Sequence, residues 1–258
     1  MRANKTKAKL AGQQTVFGAF VGIPSPGVVE LLAYAGLDFV VIDAEHGPMD
    51  IGIIEHMVRA ADAADIDAFV RILRIDAAEI ARYLDIGVLG IQIPHVDAPE
   101  DLRAVVQAVK YHPEGMRGMG FARVARFVSA PKGRADYMAW ANRETMVICQ
   151  VESRRALDCL PDLLQVEGVD VLFIGPSDLS QSLGYPAQRK HPVVQGAIDK
   201  AITEIRAAGK IAGTTAVDMQ ADMAKGVRYF TGLDARMLLN GAGQFLEQGR
   251  AAERARRR

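Results

Sequence analysis

The sequence predicts an α/β fold, a single (β/α)8 barrel of parallel strands, on three observations. First, eight short apolar runs rich in β-branched residues recur along its 258 residues. They read as near-continuous hydrophobic segments rather than in/out alternation, as parallel strands covered on both faces do. Second, longer stretches with helical spacing separate them, so each strand–helix pair is one βα unit. Third, eight is the number of such strands that closes a barrel. Length alone, at about 150 residues per domain, leaves one or two domains open. No linker divides the chain, so one domain over residues 1–258 is expected.

The elements follow in order. Residues 1–14 are basic and polar and are expected to form a flexible end. The first strand-like run is 15–22. Ser25-Pro26 then places a capping hydroxyl before a proline at the first helical position, and Gly36 follows the last turn. After runs 38–43 and 68–73, Asp76 with Glu79 gives the cap-then-acid pattern of a capping box. Asp97 with Glu100 repeats it after run 90–94. Residues 112–145 form a segment longer than a βα loop needs, with Pro113, Gly115, Gly118, Gly120, Pro131 and Gly133. Such excursions are usually functional or mobile, and this insertion is expected to overhang the active-site face. Runs 146–152 and 169–175 follow. His191-Pro192 starts a helix to about Gly209, ahead of runs 211–215 and 229–233. The tail 251–258 is expected to be the solvated, frayed and flexible end of a helix rather than a nucleic-acid arm.

Composition narrows the function. Half the chain is hydrophobic, and Lys+Arg balance Asp+Glu at 31 each. A sizeable core follows, and disordered or fibrous classes are excluded. Zero net charge argues against nucleic acid or an anionic membrane as partner, because both require a basic surface. No stretch reaches the roughly 18 apolar residues that span a bilayer, and the amino end lacks the apolar centre of a signal peptide. Cys149 and Cys159 are too few to staple a secreted scaffold, so a cytoplasmic location is expected.

Catalytic groups of a βα barrel stand at the carboxyl ends of its strands. Those ends read Asp43-Ala44-Glu45-His46-Gly47-Pro48 after the second run and Arg71 in the third. They read Gln150-Val151-Glu152 at the fifth and Gly175-Pro176-Ser177-Asp178 after the sixth. Glu152 and Asp178 end adjacent strands, so their carboxylates can converge about one strand spacing apart. Two carboxylates without a Cys or His cluster suit a hard ion such as Mg2+ or Mn2+. The alternative pairs Glu152 with an arginine and makes Asp178 a turn cap. His46, near Asp43 and Glu45, reads as a general base or as a loop histidine bonded to backbone. Arg71 interrupts an apolar strand, so it is held either for a planar anion or carbonyl oxygen or for a structural salt bridge. The turn from Gly175 offers backbone N–H groups as a carboxylate cradle. Lys110, Lys190, Lys200 and Lys225 fall in or beside helices, Lys132 in the insertion and Lys210 ahead of a strand, which disfavours imine chemistry.

These residues also carry a family resemblance. Ile42-Asp43-Ala44-Glu45-His46-Gly47-Pro48, Arg71, the segment from Tyr111 to Gly118, Gln150-Val151-Glu152, and Phe173 through Ser180 resemble the HpcH/HpaI class II pyruvate aldolases. The family includes 4-hydroxy-2-oxoheptanedioate aldolase and the 2-keto-3-deoxy sugar-acid aldolases, and the likeness runs from about Thr15 to about Leu246. It implies a barrel of the phosphoenolpyruvate/pyruvate type, with an extra carboxyl-terminal helix packed on a neighbouring subunit of a homohexamer, a trimer of dimers. It implies a divalent ion, Mg2+, Mn2+ or Co2+, on Glu152 and Asp178, and no organic cofactor. Pyruvate, or a close 2-oxoacid such as hydroxypyruvate, would chelate that ion, with Gln150 and the backbone of Gly175, Pro176 and Ser177 around it. His46 would be the base, Arg71 would stabilise the enolate, and Asp43 belongs to the same motif. The acid matching Asp85 is credited with raising the basicity of the histidine, across a subunit boundary.

The implied reaction is reversible cleavage of a 4-hydroxy-2-oxoacid into pyruvate and an aldehyde, in aromatic or sugar-acid catabolism. Ser177 stands where alanine is usual in the family. His95 stands after Pro94 in place of an apolar residue, either to contact the aldehyde partner or to bond a backbone carbonyl, the second being the expectation. Two other readings differ in class: an acyl-CoA lyase of the citrate-lyase branch, and a barrel that binds a 2-oxoacid without turnover. No basic, nucleotide-shaped site supports the first, and the intact set His46, Arg71, Glu152 and Asp178 argues against the second.

Overall fold

A computed structural model describes residues 2–120, 122–127, 129, 133–215 and 218–257. Phe121, Pro131 and Lys132, part of the predicted insertion, lie outside these. The amino end forms α1 (Lys5–Ala11). Strand and helix then alternate: β1 (Val16–Val21), α2 (Pro26–Tyr34), β2 (Phe39–Asp43), α3 (Ile51–Ala63), β3 (Asp67–Arg71), α4 (Ala77–Ile86), β4 (Gly90–Ile93) and α5 (Pro99–Val109). A 3-10 turn (Arg123–Ala125) and α6 (Arg134–Glu144) precede β5 (Met146–Val151). The rest is α7 (Arg154–Asp158), α8 (Leu160–Leu163), β6 (Val171–Ile174), α9 (Pro176–Ser182), α10 (Pro192–Ala207), β7 (Ile211–Thr215), α11 (Met219–Ala224), β8 (Tyr229–Leu233) and α12 (Asp234–Arg256). The strands pair in sequence order, all parallel, and β1 closes on β8. The predicted (β/α)8 barrel is present, with strand bounds within two residues of those read from the sequence.

Side chains on a strand alternate between faces, and a barrel sends one set inward. Phe20, Phe39, Val41, Phe69, Ile148, Val171, Phe173 and Tyr229 share the interior cluster. Their neighbours Val40, Ile42, Val70, Val147, Cys149, Leu172 and Ile174 point outward, onto Ile54, Ile80, Val105 and Ile198 of the helices. Each fully buried apolar side chain of this size contributes about 1.5–3 kcal/mol. The inward register then fixes what reaches the carboxyl end: Asp43 after Val41, Arg71 after Phe69, Gln150 after Ile148.

Helix starts follow their chemistry. Asp50, Asp76, Ser153 and Asp218 each accept a hydrogen bond from the first turn of the helix that follows. Asp97 does not; the cap of α5 is Ala98, and Asp97 accepts instead from the Ser153 hydroxyl. Gly36 takes a left-handed φ of 91° just past α2, as predicted.

Two segments differ from the sequence reading. Residues within 1–14 form α1, which seals the amino-terminal end of the barrel: Leu10 and Thr6 are buried. Asp67 accepts from the Thr6 backbone (2.6 Å) and hydroxyl (2.8 Å), and Asn4 donates to the carbonyls of Leu89 (3.2 Å) and Glu144 (2.8 Å). The tail agrees with a solvated helix end: α12 runs to Arg256, and residues 251–257 are exposed. The insertion at 112–145 lies at the end opposite the active-site face. It follows a helix and precedes a strand, so it sits where α5 returns to the start of β5. Tyr111, Tyr137 and Trp140 pack there against Val16, Phe39 and Met146, the first residues of their strands.

Candidate active site

The carboxyl ends of the strands open into a cavity of about 590 Å3. His46, Arg71, Gln150, Glu152, Gly175, Pro176, Ser177 and Asp178, all named from the sequence, border it. Arg71 ends β3 on the inward register, and its guanidinium is held on several sides. Nε and Nη2 donate to Asp43 Oδ1 (2.9 Å) and Oδ2 (2.6 Å), and Nη1 lies 3.1 Å from Glu45 Oε2. Cζ stands 4.5 Å from the centroid of the Phe20 ring. A bidentate carboxylate, a second acid and a ring face leave this cation one orientation.

Asp43 has a second task. Its Oδ1 accepts the backbone N–H of Glu45 (3.1 Å) and of His46 (3.2 Å), folding the loop after β2 into a tight turn. One carboxylate thereby aims both Arg71 and the loop that carries His46. The His46 imidazole remains exposed at the cavity wall, its Nε2 3.9 Å from Glu45 Oε2.

Glu152 is set by a buried chain of amides. Gln92 Nε2 donates to Gln150 Oε1 (2.7 Å), Gln150 Nε2 donates to Glu152 Oε2 (2.7 Å), and the His95 backbone N–H donates to Glu152 Oε1 (2.7 Å). Burial pushes the Glu152 carboxyl above its ordinary pKa, and the charge of Asp178 adds to that; the His95 N–H and imidazole and the Gln150 amide pull it down. Gly175 passes so close that a Cβ there would lie 2.8 Å from Glu152 Oε2, so only glycine leaves the carboxylate in place. Asp178 stands on the first turn of α9, exposed at the same cavity.

His95 departs from expectation. It bonds no backbone carbonyl among the described residues; its imidazole bridges two acids, Nε2 at 3.1 Å from Glu45 Oε1 and Nδ1 at 3.3 Å from Glu152 Oε1. Its φ of 53° is left-handed, a conformation that costs of order 1–3 kcal/mol in a non-glycine residue and is held here by the bond from its own N–H to Glu152. Asp85, by contrast, is not gathered into the cavity. It sits near the end of α4, at the opposite face, paired at 2.7 Å with Arg117, whose guanidinium lies 4.7 Å from the Tyr111 ring centroid.

The comparisons with known proteins bear on this arrangement. The sequence pattern described as HpcH/HpaI aldolase/citrate lyase matches residues 16–243. The chain belongs to this family. Aldolases and citrate lyases break carbon–carbon bonds, so this HpcH/HpaI chain is a carbon–carbon lyase. It is 42% identical over 217 residues to the 2-keto-3-deoxy-L-rhamnonate aldolase of Salmonella gallinarum, covering 84% of this chain and 80% of that protein. Among solved structures it is similar to an HpcH/HpaI aldolase/citrate lyase family protein from Burkholderia cenocepacia J2315, at 32% identity and a TM-score of 0.88 over 96% of this chain and 99% of the other. A structure named citrate synthase SbnG matches at 31% identity and a TM-score of 0.86 over 96% and 98%.

Sequence reasoning missed several residues of the HpcH/HpaI site. Gln92 is a polar side chain at an inward position of a four-residue apolar strand, and that register was the available signal. Glu45, noted only as a neighbour of His46, contacts both Arg71 and His95. Arg189 and Arg236 also border the cavity, from the segment after α9 and from the first turn of α12. Arg236 follows the end of β8, a strand end that went unread; Arg189 carried no signal.

Proposed function

We propose that this lyase is a metal-dependent aldolase that reversibly cleaves 4-hydroxy-2-oxoacids into pyruvate, or a close 2-oxoacid, and an aldehyde. What carries the reading is one convergence: a buried acid beside a second acid, an arginine held by two carboxylates, and a histidine, all on one cavity. The relatives named for 2-keto-3-deoxy-L-rhamnonate support it, because such an acid carries a ketone at C2 and a hydroxyl at C4.

The donor set fits a hard divalent ion. Among the described residues no group of three or more His, Cys, Asp and Glu is placed to hold a metal. Glu152 and Asp178 offer two carboxylates on one cavity, the pattern of ions such as Mg2+ that keep open positions for water and substrate oxygens. When bound, the ion would supply positive charge near the 2-oxo group, where negative charge develops. Gln150 points an N–H at the same acid and would orient the ligand's oxygens.

The chain's own residues then account for the proton and charge. His46 accepts the proton of the C4 hydroxyl. The C4 oxygen forms the aldehyde carbonyl as the C3–C4 bond breaks, and that bonding pair passes into the enolate. Arg71, fixed by Asp43 and Glu45, directs N–H groups at the enolate oxygen, the kind of preorganised stabilisation that is usually the largest catalytic contribution. Protonation at C3 yields pyruvate, and condensation runs the steps backward. Assembly as a homohexamer, with the last helix on a neighbour and Asp85 acting on the neighbour's histidine, completes the proposal.

Chelation tests it. EDTA should abolish pyruvate release from 4-hydroxy-2-oxoacids until Mg2+, Mn2+ or Co2+ is restored, and Glu152→Gln should no longer bind Mn2+ in a calorimetric titration. Full activity in chelator would overturn the metal mechanism.

A further inference from the structure

The cavity holds more positive charge than the reaction above uses. Its bordering residues include two acids, Glu152 and Asp178, and four basic side chains, His46, Arg71, Arg189 and Arg236. Arg71 is occupied by Asp43 and Glu45. Neither the Arg189 nor the Arg236 guanidinium has a hydrogen-bond or ion-pair partner among the described residues. Arg236 also borders a second, mostly apolar cleft along α12, and that cleft has no acidic residue among those lining it. Arg189 is half-buried, and its own carbonyl is anchored by the Gln195 amide at 2.7 Å, so the segment that presents it is tied down. Two guanidiniums from separate elements thus face one cavity without a counter-ion.

We infer that Arg189 and Arg236 form a subsite for an anionic group, carboxylate or phosphate, at the far end of the aldehyde half of the substrate. The inference rests on the aldolase reading. There, a divalent ion balances Glu152 and Asp178, and the 2-oxoacid end faces that ion and Arg71. The remaining two positive charges then belong to whatever fills the rest of the cavity. At about 590 Å3 the space falls within the range of about 300–1,000 Å3 that takes drug-sized ligands, so it has room beyond the 2-oxoacid. Arg236 is exposed and Arg189 half-buried, so a neutral aldehyde would leave both to water, whereas planar guanidinium forks recognise carboxylate and phosphate oxygens in pairs. A 2-keto-3-deoxy sugar acid bearing only its C1 carboxylate releases a neutral aldehyde; these arginines set this chain apart from such a substrate.

The test is condensation with pyruvate using matched aldehydes: succinic semialdehyde against butanal, and glyceraldehyde 3-phosphate against glyceraldehyde. Exchange of the pyruvate methyl protons in D2O, followed by NMR without any aldehyde, reads enolate formation separately. The wild type should exchange these protons and favour an anionic aldehyde in kcat/KM, the better of the two naming the anion. In Arg189→Gln and in Arg236→Gln that preference should fall on the order of 10- to 100-fold, the loss expected for one charged hydrogen bond. Arg→Lys at either position should restore part of it. Proton exchange with equal use of anionic and neutral aldehydes would overturn the subsite and leave the aldolase reading standing. A preference that survives both glutamine variants, or a raised pyruvate KM in its place, would also overturn it. Absence of proton exchange in the metal-loaded wild type would overturn the parent reading.

Discussion

Asp43 holds two groups at once, and its loss should cost more than one hydrogen bond. Asp43→Asn keeps the shape but removes the charge that pairs with Arg71. A displaced guanidinium should lower kcat/KM on the order of 10²-fold, the penalty typical of a misplaced catalytic group, with the fold unchanged by circular dichroism. His46→Gln should slow turnover by about 10² to 10⁴ if it is the base; an unaltered kcat would reduce it to a loop residue. Gly175→Ala should push Glu152 aside and weaken Mn2+ binding, a loss visible in titration without any assay of turnover. Much of this was legible in the sequence, because a charged residue ending an apolar strand is expensive unless it is used. Arg71, Glu152 and the Asp43–His46 loop stood out for that reason. The pairing of Glu45 with His95 did not: it is a contact between the ends of β2 and β4, and no spacing along the chain encodes it.

Helices and loops were legible in proportion to their local chemistry. The eight strands and the Asp76 cap of α4 follow from apolar runs and side-chain hydrogen bonds, which are local. Helix α1 is short and polar, and only its burial under the barrel reveals its role: Leu10→Ala should destabilise by about 2–5 kcal/mol in denaturant unfolding. The insertion was assigned to the wrong end because its length drew more notice than its place after a helix. It carries a pH signature of its own. Lys110 Nζ donates to the carbonyls of Asn142 (2.6 Å) and Thr145 (2.7 Å), yet burial, with Lys7 adding, pushes its pKa down to about 8. The unfolded chain holds that proton to about pH 10.4, so between these values the unfolded state binds more protons. Stability from this group should therefore rise with pH across that window. Melting temperatures of wild type and Lys110→Met from pH 7.5 to 9.5 test the sign: the difference should move in favour of wild type as pH rises.

At the scale of the whole molecule, α12 extends past the barrel with Leu238, Leu239, Phe245 and Leu246 exposed. A contiguous apolar surface of this kind marks an interaction site, in line with the proposed packing on a neighbour. Leu238→Glu with Phe245→Glu should shift the sedimentation coefficient to a smaller species; an unchanged value would place the contact elsewhere. The barrel itself was legible because its signal repeats eight times, whereas the proposed assembly rests on resemblance and carries no such repeat. The ring closes where Val16 pairs with Tyr229, joining the first strand of the barrel to its last. During synthesis β1 therefore emerges as an open edge and waits for almost the whole polypeptide to leave the ribosome. Until β8 arrives, two unpaired strand borders face the cell together, inviting strand addition by other chains. A message truncated just before codon 229 would leave them so permanently, and such a product belongs in inclusion bodies rather than in a partly active pool.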